Sequence, residues 1–222
     1  MSGARDEILS RIRRAEWATA DSEGRRRAEV EQRLAARAQT APIPGIARLE
    51  GAARVERFVE QLQAVQGAVT RLPDLAALPE ALSNELRQRN LPQAIRKGAD
   101  PDFAGLDWGA LETSDGPGRI EEPATLTRAF SAAAETGTLM LTSGPDNPVT
   151  LTFLGETHFV VLRASEIEAG LEGAWARLRA AGLDPRTVNL VTGPSRTADI
   201  EQTLELGAHG PVALHLFLIE DA

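Results

Sequence analysis

Two short polar segments carry residue types from which a binding or catalytic site is commonly built. The first contains Glu135, Thr136, Gly137 and Thr138, immediately before an apolar run that we expect to form a buried strand. A carboxylate and two hydroxyls at a loop-to-strand junction can act together with free backbone N–H groups. The alternative is a turn, in which Gly137 takes up unusual backbone angles and the threonines bond the local backbone. Spacing alone leaves both interpretations open.

The second segment contains Gly193, Ser195, Arg196, Thr197 and Asp199, and we expect it to run from a strand through a tight turn into a helix. Anions bind at helix N-termini beyond the ends of strands, where the helix dipole contributes roughly 0.3–1 kcal/mol. Arg196 would add a bidentate grip on a carboxylate or phosphate. The alternative is helix capping by Ser195 or Thr197, with Asp199 complementing the dipole. The two interpretations are compatible.

A third candidate is His209, which lies in a glycine-rich loop, 207–211. Together with Ser195 it offers the residue types of a serine hydrolase, and the turn at 193–197 approaches the nucleophile-elbow pattern G-x-S-x-G. Thr197 stands where that pattern requires glycine, so the sharp turn that exposes a nucleophile is not favoured. The three histidines show no zinc-ligand spacing, and Walker A and G-x-G-x-x-G patterns are absent.

The elements that must position these segments alternate between helices and strands, which is typical of a parallel α/β sheet. In the first half we predict helices over 4–38, 52–66 and 75–89, strands over 68–72 and 91–95, and a long loop over 98–120. In the second half we predict a helical turn over 125–134, strands over 138–141, 149–153, 158–163, 188–191 and 212–219, and helices over 165–181 and 197–206.

The prolines and glycine at 42–45 form a strong break in this pattern, because each proline fixes φ and removes a hydrogen-bond donor. We therefore expect two parts, an N-terminal helical extension over 1–41 and an α/β domain over 42–222. The expected fold class is α/β, with an open, mostly parallel sheet flanked by helices.

Composition excludes several functions. The chain has no cysteine, which rules out disulfides, thiolate nucleophiles and iron–sulfur clusters held by its own residues. A net charge of −8 disfavours nucleic acid as a partner. No apolar run approaches the roughly 20 residues of a membrane span, and the first residues lack the apolar core of a secretory signal. A cytoplasmic protein without a membrane span is expected.

Three blocks of sequence together resemble the lactate-utilisation (LUD) domain family, LutC type. They cover 134–139, 190–201 and 206–211, and the segment 4–9 also resembles the start of LutC-type proteins. The resemblance implies a fold similar to ribose-phosphate isomerase, glucosamine-6-phosphate deaminase and CoA-transferases. It also implies action together with two other proteins in oxidising L-lactate to pyruvate. Those iron–sulfur partner proteins would carry the clusters, and this chain would bind no cofactor or metal itself.

Three functions follow as hypotheses. In the leading one, the chain is a lactate-utilisation subunit whose three polar loops converge at the C-terminal edge of the sheet and bind an organic anion or a partner. In the second, it is a stand-alone enzyme of the isomerase or CoA-transferase type, with Glu135 as its catalytic residue, because Glu135 and Gly137 resemble the nucleophile segment of CoA-transferases. In the third, it is an interaction module whose N-terminal helices dock a partner.

Overall fold

The computed structural model describes residues 3–15, 20–36, 42–120, 122–198 and 204–220. Contacts divide the chain into two compact units, Met1–Ile43 and Pro44–Ala222. The first unit contains helices α1 (Gly3–Ala15) and α2 (Ala20–Ala36). Both helices expose pairs of large apolar side chains four residues apart, Ile8 with Ile12 and Val30 with Leu34.

The second unit contains the remaining helices and all the strands of the described residues. Its helices are α3 (Gly51–Ala64), α4 (Leu78–Gln88), α5 (Pro101–Ala104), α6 (Val149–Phe153) and α7 (Leu171–Ala180). Short 3-10 helices cover Gly45–Arg48, Leu75–Ala77 and Ala164–Glu166. The strands are β1 (Ala68–Leu72), β2 (Ala94–Lys97), β3 (Glu112–Asp115), β4 (Ala124–Arg128), β5 (Ser131–Ala133), β6 (Thr138–Thr142), β7 (Thr157–Arg163), β8 (Ile167–Glu168), β9 (Val188–Val191), β10 (Arg196–Ala198), β11 (Leu204–Leu206) and β12 (Ala213–Ile219).

Six strands form an all-parallel sheet in the order β1-β12-β7-β4-β2-β3, which confirms the expected α/β fold class. Strand β12 is the second strand from one edge, with His215 opposite Ala68 of β1 on one side and Phe159 of β7 on the other. A second sheet has the order β8-β5-β6-β9 and is mostly antiparallel, and β10 and β11 form a separate antiparallel pair.

Apolar side chains on both faces of β7 and β12 explain why the six-stranded sheet is buried on both faces. Val160 and Leu216 belong to a core that also contains residues of α3 and of the second sheet. Phe159 and Phe217 point the other way, into a core shared with α4 and α5. Since successive side chains of a strand point to opposite faces, each strand supplies both cores in turn.

Two predicted elements of the second half are wrong in type. Residues 124–128 and 131–133 are strands where a helical turn was expected, because Ala124 and Leu126 face one core while Thr127 faces the other. Residues 149–153 form helix α6 where a strand was expected. Pro148 fixes φ immediately before this helix, and the Thr125 hydroxyl donates to the Leu151 carbonyl at 2.7 Å.

Two predicted helices also differ from the structure. The helix expected over 165–181 begins only at Leu171, because 167–168 first pairs with β5 and Gly170 is extended. The helix expected over 197–206 is replaced, in its described part, by the β10–β11 pair, in which Thr197 lies opposite Glu205. Residues 199–203, including Asp199, lie outside the described residues.

Candidate functional site

Two of the three segments that were predicted to bind a ligand, the one containing Arg196 and the loop of His209, meet at a cavity of about 260 Å³ in the second unit. Three parts of the chain supply its walls: the end of helix α6 with Thr152 and Phe153, the segment 190–196, and the loop 209–211 with Leu214 behind it. His158, at the start of β7, is also part of the lining. Most of the walls are apolar, with a few polar groups, which is the usual character of a small-molecule site.

The cavity lies at a different edge of the sheet from the one expected. His158 is the second residue of β7, and Leu214 is the second residue of β12. Both strands belong to the six-stranded parallel sheet, so the cavity adjoins the amino ends of these strands and not their carboxyl ends. Among the described strands around it, only β9 reaches the cavity with its carboxyl end. The cavity therefore lies at the amino-terminal edge of the sheet, whereas the sequence predicted a site at the C-terminal edge.

Backbone hydrogen bonds hold the two loops of the cavity together. Ser195 donates its N–H to the Pro211 carbonyl at 2.9 Å, and Gly207 donates to the Ser195 carbonyl at 3.1 Å. The Ser195 hydroxyl oxygen accepts the backbone N–H of His209 at 3.3 Å. It is therefore the main chain of His209, and not its imidazole, that approaches Ser195. This arrangement positions a loop and does not form the serine–histidine pair of a hydrolase.

Arg196 brings a cation to the wall of the cavity. Its side chain is exposed, and Nη2 donates a hydrogen bond of 3.4 Å to the Val65 carbonyl. No carboxylate among the described residues pairs with it. The expected helix dipole is not present there, since Arg196 and Thr197 begin a strand. Anion recognition would thus rest on the guanidinium and on neighbouring hydroxyls.

Gly193 is required by the path of the backbone. Its φ is +84°, in the left-handed region that side chains rarely adopt. A Cβ at this position would lie 2.7 Å from the Val65 carbonyl oxygen at the end of α3. The backbone passes so close to α3 that only glycine fits at position 193. This packing requirement is independent of any role in ligand binding.

The first polar segment reaches the cavity through hydroxyl groups. Thr136 and Thr138 are joined at 2.6 Å, and Thr138 is joined to Thr192 at 2.8 Å. Thr192 lines the cavity, whereas the residues of 135–138 do not. Gly137 has φ +67°, and a Cβ there would lie 2.5 Å from the backbone nitrogen of Leu62. This segment therefore supports the cavity from behind.

Glu135 is engaged elsewhere. Its Oε1 accepts the backbone N–H of Leu171 at 2.9 Å, the first residue of helix α7. The N-terminal N–H groups of a helix have no partner within the helix, and a carboxylate there also complements the helix dipole. The half-buried Glu135 thus caps α7, which sequence reasoning did not anticipate.

His158 is a buried polar residue of the cavity that sequence reasoning missed. It is fully buried, and its Nε2 lies 2.7 Å from the Thr127 hydroxyl oxygen on β4. Its Nδ1 is buried without a hydrogen-bond partner among the described residues. Burial lowers the pKa of His158 to about 3, so the ring is neutral at pH 7. The available signal was a histidine in register with Val160 and Leu162 on an apolar strand.

The other buried histidine, His215, has both ring nitrogens occupied. Nε2 lies 2.9 Å from the Thr70 hydroxyl oxygen, and Nδ1 lies 3.1 Å from Nη2 of Arg89. Burial, followed by the charge of Arg89, lowers the pKa of His215 to about 4. It faces the core on the α4 side of the sheet, away from the cavity.

Within the described ranges, no three histidine, aspartate or glutamate side chains come together in a way that could hold a metal ion. None of the helices in those ranges is long and apolar enough to cross a membrane.

Fold and cavity together define an α/β protein with a parallel sheet, a smaller mixed sheet, and a small ligand-sized cavity at the amino ends of its central strands. Residues 123–219 match the model of the LUD domain family, and this stretch contains all the residues that line the cavity. Over this part of its length the chain is similar to the LUD domain family and to lactate utilisation protein C.

Several relatives are similar to part of the chain. Lactate utilisation protein C of Bacillus licheniformis is 33% identical over 121 residues, which is 52% of this chain and 50% of that protein. Lactate utilisation protein C of a Geobacillus species is 35% identical over 92 residues, 40% of this chain and 38% of the relative. An uncharacterised protein of Neisseria meningitidis is 43% identical over 90 residues, which is 39% of this chain and 37% of that protein. The chain thus spans half or less of the length of these relatives.

A solved structure shares the fold. The crystal structure of a DUF162 family protein from Deinococcus radiodurans has a TM-score of 0.61, covering 77% of this chain and 99% of that one. At 21% identity, this similarity concerns the fold alone.

Proposed function

We propose that this protein serves in lactate utilisation, as a subunit that binds a small organic anion in the cavity between 190–196 and 209–211. The link to lactate is supported by relatives that carry the name lactate utilisation protein C. The proposal of an anion is carried by one observation, the exposed Arg196 guanidinium on the wall of a mostly apolar cavity. Because the rest of the lining is mostly apolar, this guanidinium is the group of the wall that is suited to pair with an anion.

The size and lining of the cavity favour a small ligand. Its volume of about 260 Å³ is below the 300–1,000 Å³ that is common for drug-sized ligands. Arg196 would pair with the carboxylate, and the Ser195 hydroxyl, which already accepts one hydrogen bond, still has its proton to donate. The short carboxylic acids of lactate metabolism meet both requirements.

Partner proteins with iron–sulfur clusters would supply the redox chemistry. The chain has no cysteine with which to hold a cluster. Oxidation of lactate to pyruvate removes two electrons, so an acceptor outside this chain is needed. The protein would then be one component of a larger system and not its oxidase.

Growth on L-lactate tests the proposal. A deletion strain of the host, without another lactate dehydrogenase, is complemented with the wild-type gene, with Arg196→Ala, or with Arg186→Ala. Arg186 is an exposed arginine outside the cavity and serves as the matched control. We expect wild type and Arg186→Ala to restore growth and Arg196→Ala to fail while remaining folded. Normal growth of the deletion strain would remove the lactate role, and rescue by Arg196→Ala would remove the anion site.

A docking role for the N-terminal unit is the second candidate. Ile8, Ile12, Val30 and Leu34 are between 49% and 68% exposed on α1 and α2, at helical spacing. Exposed apolar stripes of this kind are typical of helices that bind a partner. We expect Ile12→Glu with Leu34→Glu to prevent co-purification with the iron–sulfur subunits, whereas Leu183→Glu, an exposed position in the second unit, does not. Retained co-purification of the double variant would contradict this role.

A further inference from the structure

The position of His158 is unusual for a residue of a sheet core. Its neighbours on the same face of β7 are Val160 and Leu162, both fully buried in the apolar core. The residue opposite it on β12 is Leu214. An apolar side chain would fill this place without any desolvation cost, whereas a buried imidazole needs hydrogen-bond partners. A histidine here therefore calls for a reason beyond packing.

Only one half of the ring has such a partner among the described residues. Nε2 is bonded to the Thr127 hydroxyl at 2.7 Å, and Nδ1 has none. The comparison with His215, on the neighbouring strand, is direct, because there both nitrogens are bonded. What distinguishes His158 is that it lines the cavity. The residue whose Nδ1 has no hydrogen-bond partner among the described residues is thus also one that lines the cavity.

The chemistry of the ring decides which part of a ligand it would meet. The imidazole stays neutral at physiological pH because burial lowers its pKa to about 3, so it offers a hydrogen bond and no charge. The Thr127 hydroxyl can donate to Nε2 or accept from it, which leaves Nδ1 as an N–H donor in one tautomer and as an acceptor in the other. Such a group suits a hydroxyl or a carbonyl.

We infer that His158 is a specificity-determining residue of the cavity, whose Nδ1 hydrogen-bonds a neutral hydroxyl or carbonyl group of the bound anion. The inference rests on the proposed anion site and deepens it, since the ligand must then have two ends. Its carboxylate pairs with Arg196, and a second, uncharged oxygen meets His158. The ligand class is a short hydroxy acid or oxo acid, in preference to a plain carboxylic acid of the same size.

Two substitutions test the roles of the two ring nitrogens of His158 separately. In His158→Asn, the side-chain amide lies near the position of Nδ1, whereas in His158→Gln it reaches the position of Nε2 and can keep the bond to Thr127. His215→Gln is the control for changing a buried histidine away from the cavity. Thermal denaturation of each purified full-length variant first establishes that it is folded.

Binding is then measured by NMR titration at constant ionic strength with three probes, L-lactate, pyruvate and acetate. In the wild type and in His215→Gln, we expect L-lactate or pyruvate to bind roughly five- to tenfold more tightly than acetate, as one neutral hydrogen bond would give. His158→Asn is expected to keep this preference, and His158→Gln to lose it while still binding acetate. Arg196→Ala is expected to weaken binding of all three probes.

Each other outcome overturns the inference. A preference kept in both His158 variants would mean that Nδ1 meets an ordered water only, and a preference lost in both would mean that the residue acts through packing. Absence of binding by all three probes to the wild type would remove both the inference and the anion site. The growth experiment would still decide the lactate role, so the failure of the inference and that of the proposed function are distinguishable.

Discussion

The hydroxyl groups of Thr138 and Thr192 are joined by a hydrogen bond of 2.8 Å that connects the start of β6 to the end of β9. Thr192 lines the cavity, and Thr138 continues the contact to Thr136 at 2.6 Å. The two polar segments that sequence reasoning singled out are thus in contact through hydroxyls, with only one of them on the cavity wall.

This contact predicts a measurable coupling. Thr138→Val and Thr192→Val should each lower the free energy of unfolding by up to about 1 kcal/mol, because each removes this hydrogen bond. The double variant should lose less than the sum of the two. Urea denaturation of the four proteins gives the coupling energy. Strictly additive losses would show that the bond does not contribute in solution.

Glu135 is expected to act on stability through helix α7. Removing the acceptor of the Leu171 N–H in Glu135→Ala should cost about 1 kcal/mol, the usual loss for a helix cap. Glu135→Gln keeps an oxygen acceptor and should cost less. Chemical denaturation measures both, and growth on L-lactate is followed in parallel. If Glu135→Gln folds normally but abolishes growth, the carboxylate has a catalytic role that capping does not explain.

Gly137 and Gly182 form a matched pair for separating backbone strain from steric overlap. Both have positive φ, +67° and +65°. A Cβ at Gly182 meets no atom within 4 Å, whereas at Gly137 it would lie 2.5 Å from the Leu62 nitrogen. We expect Gly182→Ala to cost about 1–2 kcal/mol for the left-handed backbone, and Gly137→Ala to cost about 1–3 kcal/mol more. Equal losses, measured by thermal denaturation, would contradict the close packing of Gly137 against α3.

Acid should destabilise the protein partly through His215. Its pKa is about 4 in the folded state and near 6.5 when unfolded, so the unfolded chain binds more protons between these values. The stability it contributes is complete above pH 6.5 and is lost as the pH falls toward 4. Glu85, at 3.3 Å from Nδ1, opposes the shift, but burial and Arg89 outweigh it.

Replacement of His215 by glutamine makes this pH dependence measurable. Between pH 6 and 4.5, the free energy of unfolding should fall less steeply in His215→Gln than in the wild type, by up to about 1.4 kcal/mol per pH unit. Urea titrations at several pH values give both slopes. Parallel slopes would mean that His215 titrates normally in the folded protein.

The parts of the fold that sequence reasoning predicted are those in which one local signal dominates. The apolar strand at 213–219 and the amphipathic helix at 51–64 are examples. The strand at 124–128 was missed because its threonines and leucine are equally compatible with a helical turn, and pairing with β7 decides between the two. The pair β10–β11 was missed for the same reason, since each strand is defined by its partner.

For the candidate site, the sequence predicted some of the residues that line the cavity, but not what each side chain contacts. Arg196, Ser195 and His209 were predicted, and the structure brings them to one cavity. The capping role of Glu135 depends on Leu171, and the unused nitrogen of His158 depends on where Thr127 lies. Contacts between residues so distant in sequence cannot be predicted from the local spacing of residue types.

The interior position of β12, between β1 and β7, has a consequence for biosynthesis. This strand is translated after every other strand of the sheet, yet it separates β1 from β7. Until residues 213–219 leave the ribosome, the nascent chain displays two unpaired strand edges, which are prone to pair with other chains. Folding must also wait for contacts of very high sequence separation, which slows it. We therefore expect the newly made protein to depend on chaperones, and its yield to fall sharply when they are depleted.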